Sequence, residues 1–239
     1  MVLQNPRLTI WDVRAARARV LAERYIASKE ILLFYARLAE WQGEVAGAVK
    51  NLGQLNAFLP SLRDLVCRAG PPTLIQAAQD LIPNGAHNIV EEYWDLTPPA
   101  PPLDFFARAL LQPYAGTLPA STLCPWCPRA PQVGYLRPQG EGLALDLVCS
   151  LCLRSRPFAR SRCPGCDESA EDRILSFSAP DFVHLRLQVC ETCQAYLPLV
   201  DLSRDPQAIP EVDELAGLPL DLWAQDQGYH KLQPNLAGI

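Results

Sequence analysis

Apolar positions in the N-terminal half recur with a helical period. Trp11, Ala15, Ala18, Leu21, Ala22, Tyr25 and Ile26 return every three or four residues, which places them on one helix face. Ile31, Leu32, Phe34, Tyr35, Leu38, Ala39 and Trp41 continue the rhythm, with Gly43 a candidate break, so residues 8–58 read as helical. Pro60-Ser61 predicts a new helix with Ser61 as N-cap, and Thr73 caps the next, which runs to about Ile82. Pro83-Asn84-Gly85 is a turn, and a short helix follows from His87 to Trp94. Thr97 to Pro102 is proline-rich and extended, and Asp104 caps a helix from Phe105 to Leu111.

Beyond Pro113 the texture changes to short strand-like runs: Gly134–Leu136, Leu143–Val148, Ile174–Phe177 and Phe182–Val189. The tail is helical again from about Val212 to Gln227, divided or kinked at Pro219. The expected fold is α+β, with a helical domain over 1–120, two tandem zinc-ribbon units over 121–158 and 159–201, and a helical tail over 202–239.

Composition changes this picture little. The 239 residues, half apolar and one-fifth charged, are those of a soluble globular chain. No apolar run reaches the roughly 18 residues of a membrane span. The first residues lack a basic segment followed by an apolar one, so no signal peptide is expected and the expected compartment is the cytoplasm. The net charge of −5 is unevenly spread. Residues 1–123 carry 11 basic and 11 acidic side chains, residues 124–193 carry 8 and 8, and residues 194–239 carry 2 and 7. A protein that grips phosphate backbones needs a basic excess. The one basic cluster is Arg154, Arg156, Arg160 and Arg162.

The chemistry lies in the cysteines. Cys124-x-x-Cys127 and Cys149-x-x-Cys152 are 21 residues apart, and Cys163-x-x-Cys166 and Cys190-x-x-Cys193 are 23 apart, with 10 residues between the units. Each Cys-x-x-Cys turn aims two sulfurs at one point, and two turns complete a tetrahedron. The spacing lies just outside the usual zinc-ribbon range. Loop closure favours Cys124, Cys127, Cys149 and Cys152 around one ion and Cys163, Cys166, Cys190 and Cys193 around the other. Four thiolates suit zinc or iron. Disulfides fit a reducing compartment poorly, and a thioredoxin-like pair would need a βαβ setting. Cys67, the ninth cysteine, lies in an apolar stretch and reads as core.

Little else points to catalysis. His87, His184 and His230 are scattered, and no nucleophile elbow, phosphate-binding glycine loop or HExxH is present. The acidic residues from Asp205 to Glu214 read as a solvated face. Trp126, at the tip of the first knuckle, is either a partner contact or packing on the neighbouring ribbon.

From the first knuckle to the C-terminus the chain resembles the formate dehydrogenase accessory proteins of the FdhE type. The likeness rests on four knuckles in order, on Cys190-Glu191-Thr192-Cys193 with the trailing Tyr196-Leu197, and on a tail containing Asp213-Glu214-Leu215-Ala216, Gln227-Gly228-Tyr229 and Asn235-Leu236. Where that family has glycine after the first and third knuckles, this chain has Pro128 and Asp167; where it has Thr and Trp after the second, Arg154 and Arg156 stand. The resemblance implies rubredoxin-like metal ribbons and a cytoplasmic, non-enzymatic protein. Such a protein binds the catalytic subunit of formate dehydrogenase and assists its maturation, with iron as well as zinc as candidate metals. A homodimer is left open, and neither nucleic acid nor a membrane is an expected partner. The alternative from another class is a zinc-ribbon protein of transcription or nucleic-acid binding, and a third is an iron protein that passes electrons.

Overall fold

The computed structural model describes residues 8–81, 89–119, 121–129, 131–236 and 238. The turn expected at Pro83-Asn84-Gly85 lies outside them.

Helix α1 (Ile10–Arg24) starts in a reciprocal cap: the Asp12 amide donates to the Thr9 hydroxyl oxygen, and the Thr9 amide donates to the Asp12 carboxylate. Helix α2 (Lys29–Ala48) packs against it and passes through Gly43 without breaking. Glycine suits that position because a Cβ there would sit 3.1 Å from the Cβ of Trp11. Helices α3 (Leu59–Ala69) and α4 (Pro72–Asp80) carry proline in the first turn, Pro60 at the second position and Pro72 at the first, and neither has a side-chain cap. Ser61 therefore lies inside α3, where its hydroxyl accepts from the Trp41 indole N–H at 3.0 Å. Helix α5 spans Ile89–Trp94.

Helix α6 (Leu103–Thr117) continues past Leu111 and through Pro113. Proline deprives the carbonyl four residues earlier of its donor. That carbonyl, on Ala109, instead accepts from the buried Gln42 side-chain amide of α2 at 3.0 Å. The same amide group donates to Gln112, whose own amide donates to the carbonyl of Ser150 inside the second knuckle. A buried polar chain thus ties two helices to a cysteine turn.

All strands join one seven-stranded sheet, in the order β3-β2-β1-β6-β5-β4, with β7 beside β6. The strands are β1 (Pro131–Gln139), β2 (Gly142–Cys149), β3 (Ser155–Phe158), β4 (Ile174–Phe177), β5 (Leu185–Cys190), β6 (Ala195–Asp201) and β7 (His230–Lys231). The two cysteine units are therefore not separated as beads. Strand β1 of the first pairs in parallel with β6 of the second, Gly134 opposite Leu199 and Leu136 opposite Asp201. Gly134 permits the approach, since a Cβ there would lie 2.7 Å from Leu199 Cδ2. The largest apolar cluster runs from α1, α2 and α6 through the sheet into the tail, and includes Cys124, Cys149 and Cys152. Cys67 packs half-buried against it.

The tail forms two helices, α7 (Pro210–Ala216) and α8 (Leu218–Asp226), divided near Pro219. Its acidic residues do not form a solvated face: Glu211, Asp213 and Glu214 are all buried. Each has a cation. Arg14 of α1 pairs with Glu211 at 2.7 Å. Arg17 meets Asp213 and Asp205, both at 2.5 Å. Asp213 also bonds His184 Nε2 at 2.8 Å and accepts from the Ile209 amide. Lys231 lies 3.2 Å from Glu214 and 3.3 Å from Asp221. The sequence shows the charge of this acidic run but not its partners, of which Arg14 and Arg17 lie 197 and 196 residues away.

Glu214 gives a test by pH. Burial pushes its carboxyl up to about 7, against the opposing pull of Lys231 and the Gln132 amide. A carboxyl raised in the folded state keeps its proton where the unfolded chain releases it. Its stabilising effect is therefore complete below the ordinary value near 4.5 and is lost as pH rises through about 7. Relative to Glu214→Gln, the wild-type chain should lose urea resistance between pH 5 and pH 7.5. Equal pH slopes for both proteins would refute this.

Candidate metal centres

The four knuckles are built alike in three cases. The residue after the second cysteine is left-handed at Leu153 (φ 57°), Asp167 (φ 65°) and Gln194 (φ 56°). This turn lets the chain fold back so that the Leu153 amide donates to the Cys149 carbonyl and the Asp167 amide to that of Cys163. Non-glycine residues there carry a cost of roughly 1–2 kcal/mol each, which marks the turns as geometrically imposed. Pro128, with φ locked negative, cannot adopt this conformation. The first knuckle closes instead with the Cys127 amide to the Cys124 carbonyl and the Arg129 amide to the Trp126 carbonyl.

These turns gather the sulfurs into two sets, Cys124, Cys127, Cys149 and Cys152, and Cys163, Cys166, Cys190 and Cys193. Within each set all four sulfurs lie within 4.8 Å of one another. The grouping is the one expected from loop lengths. A tetrahedron with bonds of 2.3 Å has edges of about 3.8 Å. The second set has edges of 3.7 Å (Cys163 to Cys193) and 3.6 Å (Cys166 to Cys190). The first is tighter, with 3.4 Å from Cys124 to Cys127, 3.5 Å from Cys124 to Cys149 and 3.4 Å from Cys127 to Cys152. All nine cysteines are free. Two metal ions could be held, one per set.

The electrostatics fit a cation. Contacts with Cys124 and Cys152, then burial, push the Cys149 thiol far up. Cys152 is driven down by the thiols of Cys124 and Cys149 and by the Arg154 amide, against its own burial. Four thiolates this close repel one another unless a cation sits between them. In the second set backbone amides face the sulfurs: Gly165 donates to Cys163 at 3.3 Å, and Thr192 and Cys193 donate to Cys190. Such donors offset thiolate charge.

The sets differ in setting. The first lies in the main core, against α5 and the Gln42–Gln112 chain. The second is nearer solvent, with Cys166 exposed. Trp126 is also placed inward. It stacks on Tyr93 with ring centroids 4.6 Å apart, and its indole N–H donates to the Tyr93 carbonyl at 3.0 Å. It is thus neither a partner contact nor packing on the neighbouring ribbon, but the link between the first knuckle and the helices. Aromatic tips on loops serve both ends, and only the position of α5 decides.

A third grouping, His184, Asp205 and Asp213, has metal-like spacing. Its centre is taken by the Arg17 guanidinium, so it is an ion-pair network. His184 is accordingly structural and buried. The four connector arginines scatter: Arg162 pairs with Asp167, and Arg160 donates to the Leu143 carbonyl. Arg154 and Arg156 face the first set.

Comparison with known proteins agrees with this architecture. The model of the family described as FdhE, C-terminal domain, matches residues 162–237. The chain is similar to an FdhE homologue of Aquifex aeolicus, 24% identical over 93% of each chain. It is also similar to one of Pseudomonas putida, 28% identical over 98% of this chain and 89% of the relative. A homologue of Pseudomonas aeruginosa is 36% identical over 48% of this chain and 39% of its own length. The crystal structure of the FdhE protein from Pseudomonas aeruginosa superposes with a TM-score of 0.70 at 23% identity, covering 95% of both chains, which establishes the shared fold. With a match to the FdhE C-terminal domain model around its second cysteine set and similarity to FdhE homologues along nearly its whole length, this chain resembles the FdhE proteins in sequence and shares the fold of one of them.

Proposed function

We propose that the protein is a cytoplasmic, non-enzymatic accessory factor that binds the catalytic subunit of a formate dehydrogenase and assists its maturation. In this reading residues 1–120 are the helical domain, 121–158 and 159–201 are rubredoxin-like metal ribbons, and 202–239 form the tail. Each ribbon holds one ion of iron or zinc through Cys124, Cys127, Cys149 and Cys152 or through Cys163, Cys166, Cys190 and Cys193. Zinc would supply rigidity alone, whereas iron would add a one-electron couple. The observation that carries the reading is the pair of complete tetra-cysteine sets on an FdhE-type chain. Four protein sulfurs close the coordination sphere, leaving no position for substrate. No described helix is long and apolar enough to cross a membrane, in keeping with a factor that meets its client in water.

Two measurements test this. Elemental analysis of protein from its native host should give two metal ions per chain, with sulfur–metal distances of about 2.3 Å by X-ray absorption. One ion per chain would refute the site assignment. Used as bait, the protein should recover the catalytic subunit of formate dehydrogenase while oxidising no formate by itself. Failure to recover the subunit would refute the function.

A further inference from the structure

A cleft of about 110 Å³ opens beside the first cysteine set. Cys127 and Cys149 lie at one side, Leu123 and Leu147 supply apolar wall, and Arg129, Arg154 and Arg156 line the rest. No acidic residue lines it. Among the described residues none of the three arginines makes an ion pair with a carboxylate.

The arginines divide by setting. Arg154 is anchored by donating to the Pro119 carbonyl at 3.0 Å, and its Nε and Nη2 are shielded from water without a hydrogen-bond partner. Shielded donors of this kind are costly unless an anion faces them. A filled tetrathiolate centre, with net charge of about −1 to −2, is one such anion. Arg129 is exposed and Arg156 half-exposed, the latter lying over the Phe158 ring at 5.7 Å. Three guanidinium groups outnumber the charge of one centre, so a cationic surplus faces outward. Beside it Leu123 is 73% exposed, an aliphatic side chain left in water at the rim.

We propose that this cleft docks a carboxylate-bearing segment of a protein partner. An Asp or Glu side chain sits between Arg129 and Arg156, and a neighbouring aliphatic side chain covers Leu123 and Leu147. Charge complementarity selects the occupant. Size does too: ligand pockets for whole small molecules run to about 300 Å³ or more, so this cleft takes a side chain rather than a nucleotide. Arginine and an exposed aliphatic rim are residue types that carry binding energy at protein interfaces. The inference rests on the accessory-factor reading and specifies where the partner is gripped.

The test uses the metal-loaded full chain and fluorescence anisotropy with a labelled peptide of alternating Glu and Leu. A Lys–Leu peptide and an unlabelled single-stranded oligonucleotide serve as comparisons. The acidic peptide should bind, weakening with salt, and the double variant Arg129→Glu/Arg156→Glu should lose at least about tenfold in affinity. Arg68→Glu, an exposed arginine elsewhere, should bind as wild type. Unchanged metal content and circular dichroism in the double variant separate docking from folding. Equal binding by wild type and double variant, no preference for the acidic peptide, or tighter competition by the oligonucleotide would each overturn the proposal. A pulldown of the formate dehydrogenase catalytic subunit distinguishes the two levels. Arginine-dependent peptide binding without recovery of the subunit keeps the cleft and discards the client. Recovery by every variant with no peptide binding keeps the client and discards the cleft.

Discussion

Replacing Cys149 with Ser is expected to cost the protein helical structure as well as its first metal ion. Cys124, Cys149 and Cys152 belong to the same apolar core as α1, α2 and α6. The knuckle they form is tied to the helices by Gln112 donating to the Ser150 carbonyl and by Trp126 on Tyr93. Binding of a structural ion to a tetrahedral site contributes on the order of 10 kcal/mol. That is comparable to the whole stability of an ordinary domain, about 5–15 kcal/mol. Losing it inside the shared core should lower the melting temperature of the entire chain. Cys190→Ser should act more locally, because the second set lies outside the main cluster and Cys166 already faces solvent. Far-UV circular dichroism and thermal melts on both variants provide the comparison. A Cys149→Ser protein that keeps its helical signal and melts no lower than Cys190→Ser would sink the argument.

The second large effect is expected at Asp213. This carboxylate accepts from Arg17, His184 and the Ile209 amide, with no exposed surface of its own. Removing one member of a buried ion pair strands the others, at a cost of about 3–5 kcal/mol. Asp213→Ala should therefore destabilise the chain by about that amount in urea unfolding. Arg19→Ala, which breaks a pair exposed on both sides, should change it by less than about 1 kcal/mol. A loss at Asp213 no larger than at Arg19 would show that the tail is not held by this network.

How much of this was legible in the sequence depends on where each determinant lies. The cysteine sets were readable because both ligands of a knuckle are adjacent and the spacing repeats. Helices α1 and α2 were readable because one apolar face is enough to fix a helix. Strand β6 was not. All seven of its residues are buried, so it lacks alternation, and it contains Pro198, which argues against a central strand. Pairing with β1 begins at Leu199, one residue beyond that proline. Helix α6 was cut short at Leu111 because the remedy for Pro113 is Gln42, far away in sequence. The inward turn of Trp126 and the burial of the tail acids failed for the same reason: each depends on a partner that no local window contains.

The β1–β6 pairing has a consequence for the chain as it is made. Strand β1 leaves the ribosome about sixty residues before β6, and until then its parallel edge has nothing to bond. Arg14 and Arg17 wait longer still, since Glu211 and Asp213 follow them by 197 and 196 residues. A nascent chain stopped short of residue 195 would carry two unneutralised cations on the inner side of its first helix and an open sheet edge, a state open to chaperones and proteases. Synthesis of β6 and α7, rather than of the helical half alone, is thus the event that closes the sheet and the buried ion pairs.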